Sequence, residues 1–208
     1  MLGLYIGIIL LLNIPYVQHR MSVLVAKELS TVLGSELTVG RINIGLLNRI
    51  IIDDLVLNDQ LGKELLKIGR LSAKFEILPL FSGKISIGNV QLFSFNANLE
   101  RPTPQASTNF QFVLDAFASK DTVKKKSNLD LRINSLLIRR GKVSYDVLSA
   151  ASTPGKFNPQ HIRLSNILAN VSLKALQNDS VNAAIKRMSV EEEHSGFELK
   201  KLSLKIIA

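Results

Sequence analysis

Eight stretches of the chain place their apolar residues in one order: apolar-x-apolar, two non-apolar positions, apolar-x-apolar. They begin at Leu37, Ile50, Leu66, Ile85, Leu131, Ile162, Ala183 and Phe197. Ile85-Ser-Ile87-Gly-Asn-Val90-Gln-Leu92 is the cleanest, and Leu37-Thr-Val39-Gly-Arg-Ile42-Asn-Ile44 is close behind. Alternation with period two is the signature of a strand with one apolar face. The pattern predicts a mainly β fold, a long antiparallel meander that keeps presenting an apolar face. The two-residue gap carries information of its own. Strict alternation would turn the second apolar pair to the opposite face of the sheet. A one-residue bulge restores the face, and Gly-Asn, Gly-Arg, Asn-Ser and Ser-Asn suit bulges. Alternatively, each gap is a bend at which the strand passes from one sheet to another.

The first residues follow another pattern. Met1 to Ile14 holds a single polar side chain, Asn13. Residues 1–16 are expected to form a membrane anchor helix carried by Leu4, Ile6, Ile8, Leu10, Leu12 and Ile14. No Lys or Arg precedes Arg20 and no Ala-x-Ala lies near Pro15, so the anchor is expected to stay uncleaved, with its cytoplasmic flank minimal or missing. Over 17–35, Val17, Met21, Leu24, Val25, Leu29, Val32 and Leu33 recur at helical spacing, with Gly34 placed to end an amphipathic helix.

The β domain is expected over 36–208. Arg41–Ile44 and Arg49–Asn58 read as a pair across the Gly45–Asn48 link. Turns are expected at Asp59–Gly62, at Phe81–Gly83 and at Arg140-Gly141, and a long strand over Lys84–Leu99. A polar linker, 101–109, leads into a short helix with Phe110, Val113, Leu114 and Phe117 on one face and Asn109 as its cap. The segment 119–128 reads as a basic loop. Strands resume over Leu129–Ile138 and Lys142–Val147, with a loop over Ser149–Gln160. Ile162–Leu173, Val181–Val190 and Phe197–Ile207 complete the array. Strand character up to Ala208 predicts truncation within the array.

Composition narrows the function classes. The 208 residues carry a net charge of +9 and no cysteine, which excludes disulfides, thiol catalysis and Cys-based zinc sites. The basic residues are dispersed and lack interleaved aromatics, so no nucleic-acid partner is expected. His19, His161 and His194 stand far apart, and Glu191–His194 reads as a solvated turn. Asp53 and Asp54 are adjacent in a strand, so their side chains are expected on opposite faces. No phosphate loop, nucleophile elbow or dinucleotide fingerprint occurs. An enzyme, a cofactor and a metal site are not expected.

The apolar face remains as the candidate site. On the strands it would comprise Ile42 and Ile44, then Ile50, Ile52, Leu55 and Leu57, then Phe75 and Ile77. It continues through Ile85, Ile87, Val90 and Leu92, Ile133 and Ile138, and Leu164, Val171 and Leu173. From pattern alone, two architectures fit: a β-sandwich whose sheets cover each other, or a sheet curled into an open groove that takes acyl chains.

The order of features resembles the N-terminal region of the AsmA-like superfamily, in its translocation and assembly module (TamB) branch. The resemblance rests on Ile14-Pro15-Tyr-Val17-Gln18, Leu33-Gly34-Ser-Glu-Leu-Thr-Val39-Gly40-Arg41-Ile42, Ile50-Ile-Ile52-Asp53-Asp54-Leu55-Val-Leu57-Asn-Asp59 and Ile77-Leu78-Pro79-Leu80 with Gly83. These motifs fall within residues 1–100. The resemblance implies a single-pass protein of the bacterial inner membrane with its bulk in the periplasm, and an open, taco-shaped β-groove. It implies phospholipid acyl chains as cargo between inner and outer membranes, or support of outer-membrane protein assembly and secretion. An outer-membrane barrel partner would be contacted through a region outside this chain. The alternative is a structural or chaperone module that binds client strands along its edge.

Overall fold

A computed structural model of the protein describes residues 2–45, 48–76, 85–117, 129–130, 134–177 and 180–207. Two helices come first, α1 (Leu2–Leu12) and α2 (Pro15–Leu33). The strands β1 (Leu37–Gly45), β2 (Arg49–Asn58), β3 (Glu64–Glu76) and β4 (Ile85–Arg101) follow. A short helix, α3 (Gln111–Phe117), separates these from β5 (Leu129–Asp130), β6 (Ser135–Val147), β7 (His161–Gln177), β8 (Ser180–Glu192) and β9 (Glu198–Ile207). The strands form one open sheet in the order β1-β2-β3-β4-β6-β7-β8-β9, with β5 beside β4. Ile77, Ile133, the expected turn at Phe81–Gly83 and the loop 119–128 lie outside the described residues.

The sheet is mixed rather than a pure antiparallel meander. β4 and β6 run parallel, with Leu92 opposite Ile138 and Arg101 opposite Val147. A parallel pair needs a crossover of a dozen or more residues. The polar linker and α3 supply it, returning the chain to the start of β4 before β6 begins. The turn expected at Arg140-Gly141 is likewise replaced by continuous strand. Arg140 takes a left-handed backbone, φ 54°, within β6.

At the N-terminus the expected single helix over 1–16 is interrupted. α1 ends at Leu12, and Asn13 and Ile14 make turn bonds back to Leu10 and Leu11. Pro15 then opens α2, holding Ile14 extended at φ −64°, ψ 131°. Eleven residues of helix span about 16 Å against a hydrocarbon core of about 30 Å. Among the described residues no helix is long and apolar enough to cross a membrane.

α2 forms as its spacing predicts, closed by Gly34 in the left-handed conformation at φ 64°. Its buried face differs from the expected stripe. Gln18, Ser22 and Leu33 are buried, whereas Leu24 and Val32 are 64% and 57% exposed. The cause is where the helix lies. α2 runs along the free edge of β1, whose backbone groups need polar partners. The Ser30 hydroxyl accepts from the Leu37 N–H at 2.9 Å and donates to the Leu37 carbonyl at 3.3 Å. Asn13 Nδ2 donates to the Ile44 carbonyl, and Gln18 Nε2 donates to Asn43 Oδ1 at 2.6 Å.

A packed core sits where α2, α3 and one end of β1–β4 meet. Leu33, Leu37, Leu57 and Leu65 are its buried centre, flanked by Leu29, Leu99, Phe110, Phe112, Val113 and Ala116. Leu114, expected on the buried face of α3, is 53% exposed. Asn109 does not cap α3. It bridges the linker to β4, accepting from the Glu100 N–H and donating to the Asn98 carbonyl.

Candidate functional surface

The strand registers carry the apolar pairs into continuous rows across the sheet. One row runs Ile42, Ile52, Leu71, Leu92, Ile138, Ala169, Met188, Leu202, each the Cα partner of the next. The neighbouring row runs Ile44, Ile50, Ala73, Val90, Leu136, Val171, Ile185, Leu204 in the same way. Every position in both rows is apolar. With strands about 4.8 Å apart, seven steps make each row about 34 Å long. In these two rows Ile42 and Ala169 are buried, Leu204 is exposed, and all the others are half-buried. At one end of the rows α1 and α2 contact β1, where Ile42 is buried; from β2 to β9, among the described residues, no helix or second sheet makes comparable contact.

A transverse line of backbone irregularities borders these rows. Asp54, Ser94, Arg140 and Asn166, on β2, β4, β6 and β7, all have φ between 50° and 56°. Non-glycine residues rarely adopt this region, so four on one sheet form a feature. On the intervening strands glycines make room. A Cβ at Gly40 would sit 2.9 Å from the Asp54 Cβ, and one at Gly69 would sit 3.3 Å from the Ser94 Cβ. On β1, β2, β3 and β7 the line coincides with the gaps in the repeated pattern at Gly40-Arg41, Asp53-Asp54, Gly69-Arg70 and Ser165-Asn166; on β4 and β6 it falls at Ser94 and Arg140, two residues past the repeated stretches that end at Leu92 and Ile138.

The left-handed residue resets the alternation. Asp53 and Asp54 line the same depression with Arg41 and Arg70, contrary to the expectation that they face opposite ways. Arg70 Nε donates to Asp53 Oδ1 at 2.6 Å, and both carboxylates raise the Arg70 pKa, chiefly through the Asp53 hydrogen bond. With both aspartates on the charged face, Ile52 and Leu55 on either side of them share the apolar one. The face is thus restored within one sheet, but without the expected one-residue bulge: pairing passes from Arg41–Asp53–Arg70 to Val39–Leu55–Ile68 with no shift of register.

Beyond the line the apolar rows continue as Val39–Leu55–Ile68–Phe95 and as Leu37–Leu57–Leu66–Ala97–Val143–Leu164. Here burial differs. Leu55 and Leu57 are 8% and 3% exposed, and Leu57 belongs to the packed core. The expected groove residues thus divide. Ile44, Ile50, Ile52, Val90, Leu92, Ile138 and Val171 stand in the accessible rows, with Ile42 buried among them. Phe75 and Ile87 are partners in a further short row, as are Leu173 and Ala183. Ile85 is opposite Leu129 on β5. Leu71, Leu136, Ala169, Ile185, Met188, Leu202 and Leu204 were not singled out by sequence, although each sits in one of the eight repeated stretches.

Two polar clusters lie at the far end of the sheet. His161 Nδ1 meets Asp146 Oδ1 at 2.9 Å, and its Nε2 meets the Ala150 carbonyl at 3.0 Å. Both partners are acceptors, so only the imidazolium satisfies both. The Asp146 hydrogen bond first, then the Ala150 carbonyl, raises the His161 pKa. Arg163 also pairs with Asp146, at 2.8 Å. Glu192 is buried rather than solvated. Burial alone would raise its pKa, but the Ser195 hydroxyl and the N–H groups of Ser195, Arg163 and His194 hold it down to about 2. Fifteen residues and a loop separate Asp146 from His161, so no sequence signal joined them.

No protein-family model matches the chain, and no curated protein does.

Proposed function

We propose that the protein is an AsmA-like, TamB-type component of the bacterial envelope whose sheet conducts phospholipids between inner and outer membranes. One observation carries this reading. Two uninterrupted apolar rows cross all eight long strands over about 34 Å, and from β2 to β9 no helix or second sheet covers them among the described residues. In this reading the line of left-handed residues is the spine of a trough. The rows on either side of it are the walls. Acyl chains lie across the strands while headgroups stay in water. Each buried CH₂ contributes about 0.8 kcal/mol, so affinity grows with chain length and needs no specific polar contact.

In this reading the protein sits at the inner membrane with the sheet in the periplasm, and one face of the helical arm suits contact with a lipid surface. Tyr16, Arg20, Val23, Leu24 and Lys27 fall on one side of α2, away from the β1 edge, and all are exposed. Apolar and basic groups together suit an anionic lipid surface. Contact with an outer-membrane barrel protein would use a region outside this chain. The dispersed charge and the absence of any catalytic motif favour a passive conduit over an enzyme.

A second reading has its own support. β9 pairs with β8 alone among the described residues, leaving one edge open to a client strand. Native mass spectrometry of the detergent-extracted protein separates the two. The conduit predicts co-purified phospholipid, lost in Leu92→Asp while circular dichroism stays unchanged. Edge binding predicts captured peptide and no lipid.

A further inference from the structure

The surface beside α3 holds a feature that the apolar rows do not use. A cavity of about 500 Å³ lies between the β2–β3 turn, the linker after β4 and α3. Its wall includes three carboxylates, Asp59, Glu100 and Asp115, and one ammonium, Lys63. That ammonium is committed to Glu100 at 2.7 Å. In a chain of net charge +9 this pocket is two charges negative. Leu61 and Leu148 stand at its wall 81% and 58% exposed, with Phe112 and Pro102 beside them.

Asp59 distinguishes the cavity from a chance acidic cluster. The residue is 3% exposed. Its Oδ1 accepts from the N–H groups of Leu61 and Lys63, both at 2.9 Å, and so holds the turn. Its Oδ2 is buried with no hydrogen-bond donor among the described residues. A buried carboxylate oxygen without a donor is costly, and a bound donor removes that cost. Asp115, by contrast, already accepts from Gln111 at 2.9 Å. No group of three or more carboxylates or imidazoles converges to hold a metal ion among the described residues. The complementary ligand is therefore an organic cation with donors at one end and an aliphatic body at the other.

We propose that this cavity binds a primary ammonium group carrying an aliphatic chain, with Asp59 Oδ2 as the acceptor and Leu61, Phe112 and Leu148 as the apolar wall. The amine of a phospholipid headgroup and a free alkylamine share this chemistry. The inference stands apart from the conduit, because it uses none of the residues of the two apolar rows.

The test is titration of the full chain with n-hexylammonium chloride, followed by backbone amide shifts, beside an identical titration with hexan-1-ol. Saturable shifts at Leu61, Lys63 and Phe112 with the ammonium, and at least tenfold weaker binding of the alcohol, are expected. Asp59→Asn keeps an Oδ1 for the turn and removes the charge. It should weaken ammonium binding at least tenfold and leave alcohol binding unchanged. Displacement of the ammonium by dihexanoylphosphatidylethanolamine but not dihexanoylphosphatidylglycerol assigns the site to a lipid headgroup; no displacement by either assigns it to a soluble amine. Equal binding of alcohol and ammonium by the unsubstituted chain overturns the proposal, as does unaltered ammonium binding by a folded Asp59→Asn variant.

Discussion

The ring of Phe95 on β4 occupies the space in which a side chain at Gly141 on β6 would begin, so a methyl group there would overlap it. β4 and β6 are the parallel pair that joins β1–β4 to β6–β9. Glycine at 141 therefore gives the Phe95 ring its place where the two halves of the sheet join.

Gly141→Ala should lower stability by about 1–3 kcal/mol, the usual cost of overpacking, as read from urea unfolding. Phe95→Ala in the same chain should recover part of that loss, because the obstacle is then gone. A double-mutant cycle measures the recovery. Equal costs of the glycine substitution with and without Phe95 would exclude the ring as the cause.

Glu192 predicts behaviour in acid. Its folded pKa, about 2, lies below the ordinary 4.5. The carboxylate thus stabilises the fold fully above about pH 4.5, and that contribution fades as pH falls towards 2. In Glu192→Gln the fall of unfolding free energy across this interval should be shallower, and the protein less stable at neutral pH. Identical slopes in both proteins would count against the buried hydrogen bonds.

His161 works in the opposite sense. Its pKa is raised above 6.5, so its contribution is complete below 6.5 and is lost as pH rises through the folded value. Asp146→Asn should bring the His161 titration, followed by NMR, back down towards the ordinary value. A titration unmoved by that substitution would leave the Asp146 contact without electrostatic weight.

Ser30 fastens α2 to the sheet edge. Ser30→Ala removes both bonds to Leu37 and should cost about 1–2 kcal/mol. The nearest readout is amide exchange at Leu37, expected to quicken while exchange at Leu92, in the middle of the sheet, does not. Unchanged exchange at Leu37 would mean that water replaces the hydroxyl without loss.

The repeat in the sequence makes the strands legible because alternation is local. Period two marks a strand, and Asp53-Asp54 or Gly69-Arg70 marks where its alternation resets. Pairing is not local. Nothing at Arg101 or Ser135 encodes that β6 returns parallel to β4, so an antiparallel meander was the simplest reading of that part. The α2 stripe misled for a related reason. Leu24 and Val32 are apolar at helical spacing, but β1 presents an edge with backbone groups to satisfy, and Gln18, Ser22 and Ser30 meet it instead. Neither the His161–Asp146 pair nor the cavity at Asp59 had a spacing that sequence could reveal, since each is assembled from separate strands, turns or helices.

The two half-buried rows are proposed as the lipid-facing surface. A photo-crosslinking amino acid placed at Leu92, at Ile138 and at the adjacent, outward Arg139 tests this in membranes. Phospholipid adducts are expected from positions 92 and 138 and none from 139. Absence of lipid at 92 and 138, or equal capture at 139, would contradict the assignment.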